Sequence, residues 1–315
     1  MQDPFVMADV LIHQASTEFK SLSIPIPSLP VLRVLLRELT TRERAARVPE
    51  TCPVMDEPEN VEAYLRAGSI ERVFAPIYLY SAAQVCDVIR PGDLVLDLGC
   101  GPATQLGVVA RLNPDVRFVG VDASEPMLKA GRAHLLAEGV SNVELRQNDI
   151  TDLGSFDDRS VDAVVSTLAL HQLRDRDALH ATCCTLRRVL KVGGGIYLND
   201  LGRFKSSRSM HYFAHQYADR QSALFTLDYW NSLKAAFSLE DLKFATSLLT
   251  SAGKLYTTFL LPFMVAFKSP ERRRPSEPLR AAFALQRNEL APHQQTDLND
   301  LTTFFRLGGL RSALL

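Results

Sequence analysis

The sequence has no long apolar run and no excess of basic residues. The longest apolar candidate, Leu255–Phe267, is interrupted by Pro262 and falls short of the ~20 residues that a membrane helix needs. The 35 Lys and Arg residues are balanced by 36 Asp and Glu residues, so that the formal net charge is −1. Proteins that bind nucleic acids usually show a basic excess. We therefore expect no membrane segment and no nucleic-acid partner.

Cysteine is scarce and does not occur in metal-binding spacing. The five cysteines are odd in number, and no two of them are separated by two residues. This argues against a disulfide framework and against a zinc site of paired cysteines. The N-terminal stretch Met1–Asp9 has an acidic residue and no basic residues ahead of an apolar run, so that it does not indicate a signal peptide. We expect a reduced, cytoplasmic protein.

The middle of the chain alternates between short apolar runs and helical patterns. This alternation extends from Asp93 to Lys205 and is typical of βαβ units with a mostly parallel sheet. One helix is delimited by Ser124 as N-cap and by Gly139 after its end, and another covers about 177–191. The predicted parallel strands are Leu94–Leu98, Arg117–Asp122, Val143–Asn148, Val161–Ser166 and Gly195–Asp200.

Helical patterns flank this core on both sides. A helical stretch is predicted from Val61 to Ile89, and the runs Leu255–Leu260 and Phe263–Lys268 could close the sheet as a hairpin. We predict an N-terminal helical cap (1–74), a central domain (75–269) with a helical insertion (203–240), and a C-terminal helical extension (270–315).

The segment Val95–Thr104 reads as an apolar strand, a tight glycine turn and the start of a helix. Gly99 and Gly101 have no Cβ atoms that would keep a ligand away from the backbone, and the helix N-terminus adds a weak positive field. Dinucleotide-binding turns share this shape, so the glycines alone do not identify the ligand.

Asp97 distinguishes between a dinucleotide and a ligand without phosphate groups. A carboxylate just ahead of the turn disfavours a pyrophosphate and suits a ligand that has an ammonium group and no phosphate. S-adenosylmethionine has both properties, and its carboxylate could use free backbone N–H groups of the turn. A hydride-transferring dehydrogenase would require a pyrophosphate beside Asp97, which makes it the weakest alternative.

Acidic residues also end the next two predicted strands. Asp122 follows the turn by about twenty residues, the position at which nucleoside-binding sheets bond both ribose hydroxyls. Asp149 ends the third strand, where it could accept a hydrogen bond from an adenine amino group while the backbone of Ile150 faces the ring. Met127 is a candidate for the other adenine face.

The ordered segments Val95–Thr104, Phe118–Met127, Val143–Leu153, Phe156–Leu173 and Leu190–Asp200 resemble the motif series of class I S-adenosylmethionine-dependent methyltransferases. The resemblance implies an α/β, Rossmann-like fold with a seven-stranded, mostly parallel sheet, a last antiparallel strand and helices on both faces. It also implies S-adenosylmethionine as cofactor, bound by Asp97, Gly99, Cys100, Gly101, Asp122, Ala123, Met127, Asn148, Asp149, Ile150 and Leu168. One departure is Ala103, which replaces a glycine common in this family. We expect it to be tolerated as one added methyl in the first turn of a helix.

The acceptor pocket of such a fold lies over the carboxyl ends of the strands. His171 follows the fourth strand and is a candidate general base, with an orienting or structural role as the alternative. His211, His215 and Asp219 share one helical face, which is more often solvated than metal-binding, and no metal is assigned. The resemblance places a covering insertion at this point, and we expect Tyr78, Tyr80, His211, Tyr212, His215, Tyr229 and Trp230 to shape the pocket.

The favoured function is methylation of a small molecule in a capped, partly aromatic pocket. The motif that methylates amino groups of bases and glutamine is absent after the fourth strand, where the chain reads Ser166–His171. Two alternatives stay open. One is methylation of a peptide or protein side chain, and the other is a noncatalytic cofactor-binding scaffold with 270–315 as its interaction element. A homodimer formed through the N- or C-terminal extension is also open.

Overall fold

The computed structural model describes residues 29–42, 45–50, 56–69, 73–219, 221–250 and 252–315, and every structural statement below refers to these ranges. Cys52, the stretch Met1–Asp9 and part of the predicted N-terminal cap lie outside them.

Helices surround a central sheet in the described ranges. The helices are α1 (Leu29–Thr40), α2 (Pro58–Ser69), α3 (Ala75–Val88), α4 (Thr104–Leu112), α5 (Glu125–Ala137), α6 (Arg176–Val189), α7 (Ser207–His215), α8 (Ala223–Ala235), α9 (Leu239–Thr246), α10 (Glu277–Asn288) and α11 (Pro292–Leu307). The strands are β1 (Leu94–Leu98), β2 (Arg117–Asp122), β3 (Val143–Gln147), β4 (Val161–Thr167), β5 (Leu190–Leu201), β6 (Lys254–Thr257) and β7 (Met264–Lys268). None of these helices combines the length and the apolarity that a bilayer crossing needs.

The strands form one seven-stranded sheet in the order β3-β2-β1-β4-β5-β7-β6. The strands β1 to β5 pair in parallel, and β7 runs antiparallel to both β5 and β6. The predicted fold class is therefore confirmed. The strand order reverses between β1 and β4, and in such sheets this reversal opens a crevice at the carboxyl ends of the strands. The crevice is where a ligand site is expected.

Both faces of the sheet are buried, because successive strand residues point to opposite sides. Val95 and Tyr197 belong to a core that includes residues of α3, α4, α10 and α11, whereas Leu96 and Ile196 belong to a second core with α6 and α9. Strands covered on both faces read as continuous apolar runs, as the sequence of β4 does.

Two predicted boundaries were wrong. The predicted helix Val61–Ile89 is divided into α2 and α3, and Pro76 lies in the first turn of α3, where its missing N–H removes no helical hydrogen bond. The helix predicted to reach residue 191 ends at Val189, and β5 begins at Leu190, with the glycine run inside it.

Gly195 approaches α3 so closely that a Cβ atom would collide with the carbonyl oxygen of Val88. Only glycine fits at this crossing.

A buried ion pair connects the sheet to α3 and to the C-terminal end of the chain. The Lys268 ammonium donates to Asp87 Oδ2 at 2.7 Å, to Gln84 Oε1 at 2.7 Å and to the carbonyl oxygen of Arg311 at 3.0 Å. Side-chain exposure is 5% for Lys268 and 1% for Asp87. Because both charges are shielded from water, each one requires the other.

Replacing Lys268 by methionine should destabilise the fold strongly. Lys268→Met leaves the Asp87 carboxylate buried without its cation, and such a loss costs about 3–5 kcal/mol of unfolding free energy. Urea denaturation measures this value. The control is Lys254→Met, which alters the exposed neighbour on β6 and should change stability by no more than about 0.5 kcal/mol. Equal midpoints for the two variants would contradict the assignment.

Candidate active site

A cleft opens at the carboxyl ends of β1, β2 and β4, and it has two adjoining parts that share Gly99, Asp122 and Gln172. All the predicted cofactor residues line one part or both. The inner part contains Asp97, Gly99, Cys100, Gly101, Asp122, Met127 and Leu168, and the outer part contains Ala123, Asn148, Asp149 and Ile150. The chain therefore folds so that these residues, which come from four strand ends, face one crevice.

The glycine turn requires backbone conformations that other residues avoid. Gly99 and Gly101 have φ angles of 63° and 51°, in the left-handed region that glycine adopts without steric cost. A Cβ atom at Gly99 would also collide with the Cβ of Ala169. The ring of Tyr64 would lie 3.9 Å from a Cβ placed on Gly101. Tyr64 thus covers the turn from the N-terminal side.

The Asp97 carboxyl is buried at the inner end of the cleft. Its residue is 3% exposed, and no described residue donates a hydrogen bond to it. Burial, together with the neighbouring Asp122 carboxyl, raises the pKa of Asp97 to about 8. A buried carboxyl without a partner favours a ligand that brings a positive charge or a hydrogen-bond donor.

Asp122 holds the turn in place. Its Oδ2 accepts a hydrogen bond from the Gly101 N–H at 2.8 Å, and its Oδ1 accepts one from the Ser124 N–H at 2.9 Å. Since a carboxylate has about four acceptor positions, positions remain for two ribose hydroxyls. Burial raises the pKa of Asp122, whereas these backbone hydrogen bonds lower it.

The expectation that the N–H groups of the turn are free was wrong for three of them. The Gly101 N–H is bonded to Asp122, the Cys100 N–H donates to the Val121 carbonyl at 3.0 Å, and the Ala103 N–H donates to the Cys100 carbonyl at 2.9 Å. These donors stabilise the turn itself. A ligand carboxylate would have to use other donors of the cleft.

Two non-glycine residues of the site have left-handed backbone conformations. Ala103 is the N-cap of α4 with a φ of 55°, so that the prediction of a methyl within the first helical turn was wrong. Leu168 has a φ of 57°, and its N–H donates to the Asn199 carbonyl at 2.9 Å. Such conformations cost of order 1–3 kcal/mol and cluster at functional sites.

The outer part of the cleft is formed by the segment after β3. Asp149 Oδ1 accepts hydrogen bonds from the N–H and the hydroxyl of Thr151, each at 2.8 Å, which leaves Oδ2 for a ligand. The Asn148 amide donates to the Ser155 hydroxyl at 2.6 Å. Met127, predicted to cover an adenine face, lines the inner part with Asp97 and Asp122, and its role stays a prediction.

His171 lies in the 3₁₀ turn Leu170–Gln172 that follows β4. Its ring Nδ1 is 2.6 Å from Asp200 Oδ1, and its backbone N–H donates to Asp200 Oδ2 at 2.8 Å. The side chain is 4% exposed, and Nε2 is 3.9 Å from Glu50 Oε1. Burial lowers the pKa of His171, but the carboxyl groups of Asp200, Glu50 and Asp228 together raise it by more, so that the net shift is upward. The Asp200 carboxylate also selects the tautomer with a proton on Nδ1.

The sequence interpretation missed Glu50, Tyr64 and Asp228. The Glu50 side chain is 9% exposed and accepts a hydrogen bond from the Ser232 hydroxyl at 2.8 Å. Burial, with a contribution from Glu50, raises the pKa of Asp228 to about 7. None of the three belongs to a motif, and the only available signal was their location in the predicted cap and insertion.

The predicted pocket residues do not converge on one place. Tyr78 lines the inner cleft, where its oxygen accepts a hydrogen bond from the Thr104 hydroxyl at 3.4 Å. The prediction for Tyr80 was wrong, because its ring is buried and stacks on Phe305 of α11 with 5.0 Å between centroids. Residues two positions apart on a helix point to different sides. Tyr78 and Tyr80 therefore cannot both face the cleft.

The remaining pocket candidates lie on α7 and α8. The His211 and His215 rings are exposed and stack with 3.9 Å between centroids, and the Trp230 ring centroid is 5.9 Å from that of His211 in an edge-on arrangement. Tyr212 contacts Phe213 at 5.3 Å between ring centroids. None of these four residues is among those that line the two parts of the cleft, and their place in an acceptor pocket stays a prediction. Tyr229 lies closer, beside Asp228, and burial raises its pKa to about 12.

Comparison with known proteins identifies a methyltransferase domain in the middle of the chain. A family model described as a methyltransferase domain matches residues 95–194. An uncharacterized 37.1 kDa protein in a transposon of Streptomyces fradiae is 35% identical over 112 residues, which cover 35% of this chain and 31% of that protein. The ubiquinone biosynthesis O-methyltransferase of Acinetobacter baumannii is 28% identical over 152 residues, 48% of this chain and 62% of the relative. The chain thus spans less than two thirds of either relative.

The solved structures show the same fold. A structure assigned as an S-adenosyl-L-methionine-dependent methyltransferase from Methanococcus maripaludis has a TM-score of 0.50 and 17% identity, over 70% of this chain and 96% of that one. Residues 95–194 thus form a methyltransferase domain, and the sheet has the fold of class I S-adenosylmethionine-dependent methyltransferases.

Proposed function

We propose that this protein methylates a hydroxyl group of a small molecule, with S-adenosylmethionine as methyl donor and His171 as general base. The observation that carries the proposal is the buried His171–Asp200 pair, which lies at the end of β4 directly after the cleft residue Leu168. The name of the Acinetobacter relative, an O-methyltransferase of ubiquinone biosynthesis, also supports a small-molecule hydroxyl acceptor.

The cleft residues fit the cofactor group by group. The Asp97 carboxyl would bind the ammonium of the methionyl part, Asp122 would bond the ribose hydroxyls, and the free oxygen of Asp149 would accept from the adenine amino group. When bound, the cofactor supplies a methyl group that its sulfonium already activates. The protein then has to orient the acceptor and exclude water, and orientation alone can supply roughly 7–11 kcal/mol.

His171 is suited to remove the hydroxyl proton. Its Nδ1–H donates to Asp200, so that the neutral ring carries its lone pair on Nε2, which no described residue bonds at hydrogen-bond distance. After proton transfer, the Asp200 carboxylate stabilises the imidazolium. General-base catalysis of this kind contributes about 10²–10⁴-fold to the rate.

A segment of the N-terminal region covers the acceptor side. The Arg47 guanidinium donates to the carbonyl oxygens of Ala235, His171 and Leu173 at 2.7, 3.1 and 2.6 Å, and it stacks 3.9 Å from the Phe237 ring centroid. This connection ties the segment before Glu50 to both the insertion and the His171 turn. A covered site favours a small acceptor over an extended peptide. We also propose that the chain is divided into a cap (1–74), a methyltransferase domain (75–269) and a C-terminal extension (270–315).

Cofactor binding should release protons from Asp97. In the free protein its pKa is raised to about 8, so that the carboxyl is mostly protonated at pH 7. An ammonium group stabilises the carboxylate and lowers this pKa, so that we expect release of up to about one proton at pH 7 and tighter binding as the pH rises toward 8. Isothermal titration with S-adenosylhomocysteine, in buffers of different ionisation enthalpy, measures the release.

Asp97→Asn should abolish this proton release and weaken binding by about 10–150-fold, since a hydrogen bond to a charged group is lost. Asp115→Asn alters an exposed carboxyl remote from the cleft and serves as the control. Unchanged proton release in Asp97→Asn would contradict the assignment of Asp97 to the ammonium.

His171→Gln should reduce the rate of methyl transfer by about 10²–10⁴-fold while the affinity for S-adenosylhomocysteine stays constant. The assay is transfer of a labelled methyl group to a panel of phenols and catechols. His180→Gln, which changes a histidine of α6 outside the cleft, should retain the wild-type rate. Equal rates for the two variants would show that His171 is structural.

The pH profile tests the His171–Asp200 pair separately. A general base acts when neutral, so that activity should be lost as the pH falls through the raised pKa of His171. Asp200→Asn removes the carboxylate that raises this pKa, so that the acid limb of the profile should move to lower pH. A limb that stays in place would exclude His171 as the titrating base.

A further inference from the structure

Besides Asp200, two further carboxyl groups approach His171: Glu50 Oε1 is 3.9 Å from its Nε2, and Asp228 lies one helical turn before Ser232, whose hydroxyl donates to Glu50 at 2.8 Å. Glu50 comes from the segment that precedes α2, and Asp228 comes from α8. Both lie outside the residues 95–194 that match the methyltransferase domain. The Asp200 carboxylate is already occupied by His171 at 2.6 Å. Glu50 and Asp228 therefore belong to a part of the site outside the matched domain.

The described residues offer these two carboxyls little positive charge. The charged groups that act on Asp228 are Glu50, which repels its carboxylate, and His171, which attracts it. The neighbouring Arg47 guanidinium is directed at backbone carbonyl oxygens instead. With His171 paired to Asp200, two partly buried carboxyl groups remain without a cation of their own among the described residues, and a charged carboxylate in such a place is costly unless a cation compensates it.

The walls around Asp228 are aromatic and adjoin the cofactor cleft. Asp228 shares a small cavity with Tyr64 and Phe225, and Tyr64 also lines the inner part of the cleft. The Phe225 ring centroid is 6.4 Å from that of Tyr64 and 6.4 Å from that of Tyr229. Aromatic faces beside carboxylates attract ammonium groups.

The His171 imidazole lies against Glu50. The His171 side chain is more than nine-tenths buried, and its Nε2 faces Glu50 at 3.9 Å, beyond hydrogen-bond distance. A buried ring nitrogen with no hydrogen-bond partner among the described residues indicates that a polar group of a ligand completes the site.

We propose that the acceptor carries a protonated amino group, which binds between Glu50 and Asp228 while the hydroxyl of the same molecule faces His171. The inference rests on the proposed function. It assigns a substrate class, small aromatic hydroxyl compounds with an ammonium group. Glu50 and Asp228 are then residues that determine specificity, because their negative charge rejects anionic acceptors of equal size.

Three phenols of similar size and different charge test the proposal. Tyramine is cationic, 4-ethylphenol is neutral and 3-(4-hydroxyphenyl)propionate is anionic at neutral pH. Isothermal titration of each into the protein saturated with S-adenosylhomocysteine gives their affinities. We expect tyramine to bind at least about 10-fold more tightly than 4-ethylphenol, as one charge-assisted hydrogen bond would give. The propionate should bind most weakly.

Variants assign the preference to its residues. Asp228→Asn and Glu50→Gln keep the side-chain shapes, and each should weaken tyramine about 10-fold or more while leaving 4-ethylphenol unchanged. Glu62→Gln changes an exposed carboxyl on α2 and is the matched control, with wild-type preference expected. Circular dichroism and thermal melting verify that each variant is folded.

The outcomes separate this inference from the proposed function. Failure of the folded wild type to bind S-adenosylhomocysteine would refute the proposed function and this inference with it. If S-adenosylhomocysteine binds, the amine site alone is overturned by tyramine that does not bind, by tyramine no tighter than 4-ethylphenol, or by a preference that survives both Asp228→Asn and Glu50→Gln.

Discussion

The burial of acidic side chains at the carboxyl ends of the parallel strands is the constraint on which the site depends. Asp97 is buried at the end of β1. Its neighbour Asp122 accepts hydrogen bonds from the backbone N–H groups of Gly101 and Ser124. The turn is thereby rigid, while the Asp97 carboxyl keeps no partner of its own. A ligand with an ammonium group supplies the missing interaction, which connects the architecture of the turn to the cofactor of the family.

Acidic side chains also shape the acceptor side of the site. Asp200, near the end of β5, has hydrogen-bond donors at both carboxylate oxygens, because the His171 Nδ1–H donates to one and the His171 backbone N–H to the other. This double contact fixes both the position and the tautomer of the imidazole. Among the described residues, Glu50 accepts a hydrogen bond from the Ser232 hydroxyl, and Asp228 is repelled by Glu50 and attracted by His171. The Asp200 carboxylate has its partners within the protein and supports the His171 ring. The Glu50 and Asp228 carboxyl groups are less fully compensated, and we propose that they bind the ligand.

The cofactor cleft and the acceptor side come from different parts of the chain. The motif residues of the domain that matches the family form the cofactor cleft, whereas Arg47, Glu50, Tyr64 and Asp228 approach the acceptor side from segments outside that match. Arg47 makes this arrangement stable, since its guanidinium joins carbonyl oxygens of the His171 turn and of the end of α8. Variation in the attached segments can change the acceptor without disturbing the cofactor site.

The sequence by itself determined the strand–helix alternation, the glycine turn and the positions of Asp97, Asp122 and Asp149, because each depends on local backbone preferences and on the period of apolar residues. It also placed His171 after β4. Only the tertiary structure decided that Tyr78 faces the cleft and Tyr80 the C-terminal helix, and that His211 and Trp230 are not among the residues that line the cleft. Glu50 and Ser232 are 182 residues apart in the sequence, and their hydrogen bond produces no periodic pattern from which it could be predicted. Long-range packing alone brings those side chains to one site.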